Sequence, residues 1–402
     1  MPVKTKPYVF ITSFGLVSMF MDIVYEGALA VQGPLLLSLG ASAALVGLVS
    51  GLGEVTSLAG RLLTGPAADK TGRYWLFAIA GYAITALAVP AMGLVGSVTA
   101  VAALIILERL GKAVRTPSRD AMLSHASSAV GRGKGFALHE ALDQVGAVTG
   151  PLVVAAILWV TQNNYAPALG VLAIPGVIAI CILLRLRSKV PDPAEYEAAA
   201  SEVPGSKSRN VEERQKSHVK TLPKSFWAYS IACGLCLAGT ATFAVMSFHA
   251  VSIDVLSASQ VPVVYAVAMG VDAVAALVTG SLYDRLGPKT LLALPVACAS
   301  IPFLAYGHSP VIVIGGAMLW GLATGIQEST MRAYVADLVP QKLRATSYGI
   351  FSMLIGIGTL VGGTLAGSLY QTIGSAAIIA VSCIIQLAAF ILLLTLLKRS
   401  KR

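Results

Sequence analysis

The chain has 402 residues, of which 56% are hydrophobic and only 12% are charged, and its formal net charge is +10. Because soluble proteins carry about 25% charged residues, this composition excludes an ordinary soluble fold. An enzyme is also disfavoured, since the sequence contains no nucleotide-binding loop and no metalloprotease spacing. The positions of the positive charges follow a membrane topology, so nucleic acid is not an expected partner.

Apolar runs long enough to cross a bilayer, about 20 residues each, recur along almost the whole chain. They predict an all-α membrane protein with twelve transmembrane helices. The predicted spans are 8–33, 43–66, 74–94, 99–118, 134–158, 165–185, 225–252, 259–282, 288–307, 310–331, 345–369 and 373–397.

The loop charges predict the orientation. The Lys and Arg residues outside the spans all fall on one side of the membrane, whereas opposite loops such as 161–168 and 306–310 contain none. By the positive-inside rule the basic side is cytoplasmic, and the even number of spans agrees. We therefore expect a multi-pass protein of the cytoplasmic (inner) membrane, embedded in the lipid bilayer, with both termini in the cytoplasm.

One long polar segment, 190–223, separates six spans from six. It predicts an N-terminal six-helix bundle at 1–189, a cytoplasmic linker at 190–223, and a C-terminal six-helix bundle at 224–402. A short surface helix is expected within the linker, around Ala194–Ala200.

The two halves repeat. GPAADKTGRYW (65–75) ends the second span, and GSLYDRLGPKT (280–290) ends the eighth. In the fifth and eleventh spans, Gly146 and Gly150 align with Gly358 and Gly362. The matched residues of the loop motif are Gly65 with Gly280, Asp69 with Asp284, and Gly72 with Gly287. A parallel repeat of this kind predicts two bundles related by a pseudo-twofold axis along the membrane normal.

The motif GPAADKTGR resembles the signature of the major facilitator superfamily, G-x-x-x-D-[RK]-x-G-[RK], and GSLYDRLGP resembles its weaker second-half echo. The resemblance covers the whole chain and implies a secondary transporter that works by alternating access. RLGKAVRTPSRDAML (109–123) departs from the usual fourth-helix pattern. The chain is similar to prokaryotic permeases of the drug or metabolite proton-antiporter type.

By this resemblance the motif region latches one conformation of the cytoplasmic gate. Arg73 is expected to reach an acid such as Asp120. Gly65 and Gly72 are expected to allow a tight turn and a close approach to neighbouring helices. The alternative is a basic loop that serves orientation only, with glycines that form the turns. The predicted gating residues are Gly65, Asp69, Lys70, Gly72, Arg73, Asp120, Gly280, Asp284, Arg285 and Gly287.

In the fifth span Pro151 follows Gly146 and Gly150, and a proline within a helix removes one backbone hydrogen bond and kinks it. By resemblance, a G-x-x-x-G-P run in this helix is associated with exporters that exchange substrate for protons. A kink with close packing explains the same residues without transport chemistry.

Charged residues inside apolar spans are costly and are therefore candidate functional groups. Asp22 and Glu26 lie four residues apart and share a helix face, and by resemblance the first and fourth spans line the central cavity. Such a carboxylate pair can bind a proton or a cation, with Arg109 as the expected partner of one member. The alternative is a structural polar network that joins spans one, four and five.

Residues outside this pair complete the predicted site. Trp320 is expected either to form a cavity wall that stacks an aromatic ligand or to serve packing. Glu108, about 100° from Arg109 around the helix, is expected to serve packing. The predicted proton-coupling and cavity residues are Asp22, Glu26, Arg109, His139, Glu140, Asp143, Trp320 and Glu328.

The predicted function is proton-coupled export of a small cationic or zwitterionic organic compound by a monomer without cofactors. A divalent-metal permease is an alternative, because His139, Glu140 and Asp143 with Asp22 and Glu26 offer O and N ligands. Their spacing is not diagnostic, so no metal site is predicted. An organic-anion permease built around Arg109 is the other alternative.

Overall fold

The computed structural model of the chain describes residues 6–196, except Ala129 and Gly131, and residues 222–399, except Gln341 and Lys342. This part of the chain contains helices and connecting turns and no strand. The linker between 197 and 221, with most of its predicted surface helix, lies outside the described residues, so the domain boundaries stay a prediction.

Twelve apolar segments follow one another along the described chain. The N-terminal half comprises Pro7–Leu29 with Gln32–Ser38, Ala43–Thr71, Tyr74–Met92, Val98–Ser127, Arg132–Val160, and Tyr165–Gly170 with Ala173–Lys189. The C-terminal half comprises Lys224–Ala238 with Phe243–Ser252, Val261–Leu286, Gly287–Leu292 with Ala293–Ala305, Pro310–Ile326 with Gln327–Met331 and Arg332–Leu338, Arg344–Thr372, and Ser375–Arg399. They are called the first to twelfth spans below.

Ten of the described helical stretches are long and apolar enough to cross a membrane. The fourth span is not among them because charged residues occur throughout its C-terminal half. The eighth and ninth spans count as one stretch of 45 residues, Val261–Ala305. At 1.5 Å per residue this stretch is about 68 Å long, roughly twice the bilayer core, so it crosses twice. The fold therefore agrees with the twelve-helix prediction.

The first and seventh spans are both interrupted. The seventh breaks between Ala238 and Phe243, where backbone carbonyls lose their helical partners. The twelfth span compensates: Ser382 donates to the Gly239 carbonyl at 2.6 Å, and Gln386 donates to the Cys236 carbonyl at 2.7 Å. Side chains from a neighbouring helix thus satisfy a broken helix inside the bundle, as a membrane interior requires.

The glycine repeat has a structural basis. In each half, two glycines of the fifth helix pack directly on the backbone of the first helix of that half. A Cβ would collide with a carbonyl oxygen at each of the four: Gly146 with Met19, Gly150 with Ile23, Gly358 with Gly234, and Gly362 with Leu237. The aligned residues therefore make the same contact twice, which is the pseudo-twofold relation expected from the sequence.

We call the end that holds Gly72 and Gly287 the motif end, and the other the distal end. The halves are closed against each other toward the distal end. There the second span packs on the eleventh so tightly that a Cβ at Gly47 would strike the Gly363 carbonyl. Three hydrogen bonds that join the halves also lie in this region, namely Tyr265 to Glu26, Ser50 with Thr242, and Ala44 to Gln371.

Candidate functional site

A cavity of about 360 Å³ lies between the two halves. Phe243 and Tyr265, both almost fully buried, border it on the distal side. Asp120, whose side chain is 46% exposed, and Arg332 border it toward the motif end. The cavity therefore opens toward the motif end and is closed at the distal end.

Eight carboxylates and six cationic side chains line this cavity, which gives it a formal excess of two negative charges. The carboxylates are Asp22, Glu26, Glu54, Asp120, Glu140, Asp143, Asp272 and Glu328. The cations are Arg61, Arg109, Lys112, Arg115, Arg119 and Arg332. Asp272, Glu328 and Arg332 come from the C-terminal half, and the other eleven come from the N-terminal half.

The fourth span supplies four of the six cations. Arg109, Lys112, Arg115 and Arg119 are spaced by three, three and four residues, so they form one stripe along the helix. The sequence prediction selected only Arg109 of this stripe. The helical spacing of the basic residues in RLGKAVRTPSR was the signal that could have identified the others.

Arg109 is almost completely buried and belongs to an ion-pair network within the N-terminal half. Its Nη1 lies 3.1 Å from Glu54 Oε1 and also donates to the Tyr25 hydroxyl. Its Nε lies 3.6 Å from Glu108 Oε2, so the expectation that Glu108 serves only packing is wrong. The long Arg109 side chain lets its guanidinium contact Glu108 of its own helix as well as Glu54 of the second span. Arg109 thus does not pair with Asp22 or Glu26, contrary to the expectation.

Asp22 and Glu26 both line the cavity, as predicted. Tyr265 of the eighth span donates a hydrogen bond of 2.7 Å to Glu26 Oε2. Lys112 of the fourth span is a cation that acts electrostatically on both carboxylates. Its Nζ lies 3.7 Å from the centre of the Tyr25 ring. Within the described residues, the structure records no salt bridge of Asp22 or Glu26.

The three predicted residues of the fifth span do not all face the cavity. Asp143 and Glu140 line it, whereas His139 is buried behind the wall. His139 Nε2 forms a hydrogen bond of 2.8 Å with Ser18, and its Nδ1 lies 3.4 Å from Asp143 Oδ2. Asp143 Oδ2 also lies 3.6 Å from Arg119 Nη1. His139 thus holds Asp143 from behind and does not contact the cavity, which corrects its predicted position.

The tenth span contributes the predicted Trp320 and Glu328 to the cavity wall. Trp320 packs with Phe243 at 5.4 Å and with Tyr265 at 6.0 Å between ring centroids. Phe243 and Tyr265 meet edge to face at 4.7 Å. No charge or motif distinguished Phe243 and Tyr265 in the sequence, and neither was predicted. Together the three rings form an aromatic wall on the C-terminal side of the cavity.

The loop motif forms turns as expected at two positions. Gly72 and Gly287 both have φ of 65°, a conformation that favours glycine. Gly65 and Gly280 are different, because a Cβ at Gly65 would make only ordinary contacts and a Cβ at Gly280 would meet nothing within 4 Å. The close helix approach expected at Gly65 and Gly72 is therefore wrong, since a Cβ at Gly72 would also meet nothing within 4 Å.

The charged motif residues are exposed: Asp69, Lys70, Arg73, Asp284 and Arg285. Asp69 accepts a hydrogen bond of 3.0 Å from Tyr74, within its own half. Asp120 pairs with Arg119 at 2.9 Å, not with Arg73 as expected. Arg119 Nε donates a hydrogen bond to Asp120 Oδ1, so this carboxylate already has a cationic partner within its own span. A latch between the halves at the motif end stays a prediction.

In the fifth span, the helix continues through Pro151 from Arg132 to Val160. Gly146 and Gly150 are the residues that bring it against the first span, close to Asp22. Their packing role is therefore direct, while the predicted kink and its link to antiport stay predictions. The described residues contain no group of three or more His, Cys, Asp or Glu placed to hold a metal ion.

A profile of the Major Facilitator Superfamily matches residues 12–307 and 247–402, which together reach across nearly the whole chain. An uncharacterized protein of Mycobacterium tuberculosis (strain ATCC 25618 / H37Rv) is 47% identical over 374 residues, which are 93% of this chain and 90% of that protein. An uncharacterized MFS-type transporter of Methanocaldococcus jannaschii is 24% identical over 364 residues, or 89% of this chain and 87% of that protein.

Solved structures share the fold. A crystal structure of the nucleoside transporter NupG superposes with a TM-score of 0.75 and covers 97% of this chain and 99% of its own. Its sequence identity to this chain is 16%. The similarity at this identity concerns the fold alone.

Proposed function

This chain belongs to the Major Facilitator Superfamily, and we propose that it exchanges protons for a cationic or zwitterionic organic solute across the membrane. The observation that carries the proposal is that Asp22 and Glu26 have no salt-bridge partner among the described residues. Arg109 is neutralised by Glu54 and Glu108, so it does not neutralise the Asp22–Glu26 pair. The cavity retains two excess carboxylates that a proton or an organic cation can compensate.

The same geometry gives less support to the two alternatives, an organic-anion permease and a divalent-metal permease. An organic-anion permease built around Arg109 needs that guanidinium to be free, and it is already held by two carboxylates and a tyrosine hydroxyl. A divalent-metal permease needs converging ligands, and His139 lies behind the wall with its ring nitrogens facing Ser18 and Asp143. Both alternatives are therefore less well supported than transport of an organic cation or zwitterion.

Coupling follows from competition for one site. A proton on Asp22 or Glu26 removes the charge that attracts a substrate ammonium group, and a bound ammonium group disfavours the proton. Each occupant shifts the equilibrium between cavity states only by its difference in affinity for the two states. A carboxylate pair that faces the two sides of the membrane alternately can therefore exchange one cation for the other.

The basic loops support the direction. If the basic side is cytoplasmic, as the positive-inside rule predicts, the motif end faces the cytoplasm and the cavity described above takes its substrate from there. A proton gradient directed inward would then drive export. We therefore propose export across the cytoplasmic membrane.

The experiment uses purified protein in proteoliposomes that contain a pH-sensitive dye. Candidate substrates come from a thermal-shift screen of organic amines, amino acids and dicarboxylates. We expect amines or zwitterions to stabilise the protein and to release protons from the vesicles when added. Asp22→Asn and Glu26→Gln should each reduce this proton flux by at least tenfold.

The matched control is Asp254→Asn, which removes an exposed carboxylate from a loop at the distal end. It should retain the wild-type flux. Stabilisation by dicarboxylates alone, lost on Arg109→Gln and kept on Glu26→Gln, would instead support the organic-anion permease. Full flux in both Asp22→Asn and Glu26→Gln would refute the assignment of coupling to this pair.

A further inference from the structure

The hydrogen bond between Tyr265 and Glu26 joins the two halves on the distal side of the cavity. Glu26 belongs to the first span and Tyr265 to the eighth, 239 residues later, and the two oxygens are 2.7 Å apart. Tyr265 is 1% exposed. Its hydroxyl faces a carboxylate of the cavity across the boundary between the two halves.

The surroundings of this bond form the closure at the distal end. Phe243 and Tyr265 of the C-terminal half share an apolar cluster with Ala30 and Ala147 of the N-terminal half. When the cavity opens toward the distal end, the halves must separate here, so the Tyr265–Glu26 bond must break. The bond therefore exists in one of the two cavity states and not in the other.

We propose that this bond is a lock, which holds the carrier closed at the distal end as long as Glu26 carries neither a proton nor a substrate cation. The inference rests on the proposed function and identifies Tyr265 as the positioning residue that links Glu26 to the conformational change. A hydroxyl donates a stronger hydrogen bond to a charged carboxylate than to a neutral one. Protonation of Glu26, or its pairing with an ammonium group, weakens the lock.

Such a lock accounts for exchange without leak. The empty, charged carrier stays closed at the distal end, whereas a carrier that holds either cation can open. Because both cations act on the same carboxylate, each can release the lock on its own. A bond to a charged group of this kind shifts the ratio of the two states by roughly tenfold to a hundredfold.

Other charged and polar groups around Glu26 also influence its protonation. Tyr265 differs from them because its hydroxyl is bonded to Glu26 itself, across the boundary between the halves. The first span contributes Asp22 and Tyr25, the second Glu54, the fourth Arg109 and Lys112, and the eighth Asp272, while the fifth and seventh spans present Ala147 and Phe243. Lys112 is a compensating cation of this set, and it competes with a substrate ammonium group for Glu26.

The test measures the opening of the distal end directly. Spin labels are placed at Thr99 and Val311, exposed residues at the distal ends of the fourth and tenth spans, after Cys181 and Cys383 are replaced by Ser. The distance between the labels is recorded in the full-length protein without substrate at a series of pH values. In the wild type we expect a long-distance population that grows as the pH falls.

Tyr265→Phe keeps the ring that packs on Phe243 and Trp320 and removes only the hydroxyl. It should show the long-distance population already at alkaline pH, increased at least tenfold, with little further change on acidification. Glu26→Gln should behave in the same way. The control, Tyr370→Phe, removes a hydroxyl that binds His249 and Ser252 within one half, and it should keep the wild-type profile.

A wild-type pH profile in Tyr265→Phe would overturn the lock, and the proton-flux result would still decide the proposed function. An altered profile in Tyr265→Phe together with full proton flux in Glu26→Gln would keep the lock and refute proton coupling at Glu26. A profile altered equally in Tyr370→Phe would also overturn the proposal, because loss of any distal hydroxyl would then suffice.

Discussion

The N-terminal half supplies eleven of the fourteen charged side chains that line the cavity, and the C-terminal half supplies three. Aromatic side chains show the opposite distribution, with Phe243, Tyr265 and Trp320 on the C-terminal side and Tyr25 on the N-terminal side. The backbone does not share this asymmetry, since the fifth and eleventh spans use aligned glycines to pack on the first and seventh.

This difference separates two kinds of constraint. Helix packing in a membrane depends on small residues that let backbones approach, and both halves meet that requirement in the same way. Proton binding needs charged groups in one place only, and each buried charge must be compensated by a neighbour. A repeated scaffold can therefore keep its packing in both halves while one half carries most of the charges.

The largest expected effect tests whether the charges of the N-terminal half also hold it together. Arg109→Met leaves Glu54 and Glu108 without their shared cation, and removing one partner of a buried ion pair costs about 3–5 kcal/mol. The free energy of unfolding in detergent micelles should fall by that amount. The matched change in the other half, Arg332→Met, removes an exposed cation and should cost less than about 1 kcal/mol.

A double variant sharpens this result. Arg109→Met combined with Glu54→Gln removes one of the uncompensated carboxylates, so part of the lost stability should return. Equal stability of Arg109→Met and Arg332→Met would show that the charge network of the N-terminal half has no structural role.

The next effect compares the glycine packing that both halves share with the proton flux, which we assign to the charges of the N-terminal half. Gly146→Ala and Gly358→Ala each place a Cβ against a carbonyl oxygen, of Met19 and Gly234 respectively. Overpacking of this kind costs about 1–3 kcal/mol, so both variants should lose similar stability. Proton flux should decrease only in Gly146→Ala, because its new Cβ would lie 2.9 Å from Asp22 Cβ.

The control for this pair is Gly270→Ala, where a Cβ meets nothing within 4 Å. Because alanine favours helix over glycine, this variant should gain about 0.5–1 kcal/mol. A proton flux reduced equally in Gly146→Ala and Gly358→Ala would contradict the view that only the N-terminal contact bears on coupling.

Much of the fold could be predicted because its signals are local in the sequence. Apolar runs predicted the spans. Gly72 and Gly287 predicted the turns, because a positive φ favours glycine whatever surrounds it. The candidate site was predictable at Asp22, Glu26 and Glu328, because charges inside apolar runs are conspicuous. All three line the cavity.

The partners of these residues were not predictable. Which carboxylate meets Arg109 depends on how the second and fourth helices are rotated about their axes, and the spans alone do not fix that rotation. Tyr265 has no charge and stands near the start of an apolar helix. Its role arises only from the contact between halves, which a single span does not encode.

The smallest expected effect concerns the aromatic wall of the C-terminal half. Trp320 is half-buried in the cavity wall and is backed by Phe243 and Tyr265. A ligand ring stacked on it gains about 0.5–1.5 kcal/mol beyond the area it buries, which is up to roughly tenfold in affinity. Trp320→Leu should therefore weaken the binding of a phenyl-substituted amine by up to about tenfold.

A ring-free amine of the same charge distinguishes the contribution of the aromatic wall from that of the N-terminal carboxylates. Its affinity, measured by calorimetry on purified protein, should change little in Trp320→Leu, because the N-terminal carboxylates that attract its ammonium group are untouched. Trp159→Leu, which alters an exposed tryptophan of the fifth span, is the matched control. An equal loss for both amines would mean that Trp320 supports the closure around Tyr265 and does not contact the ligand. In that case the C-terminal half would contribute to conformation only, and recognition would rest on the charged half alone.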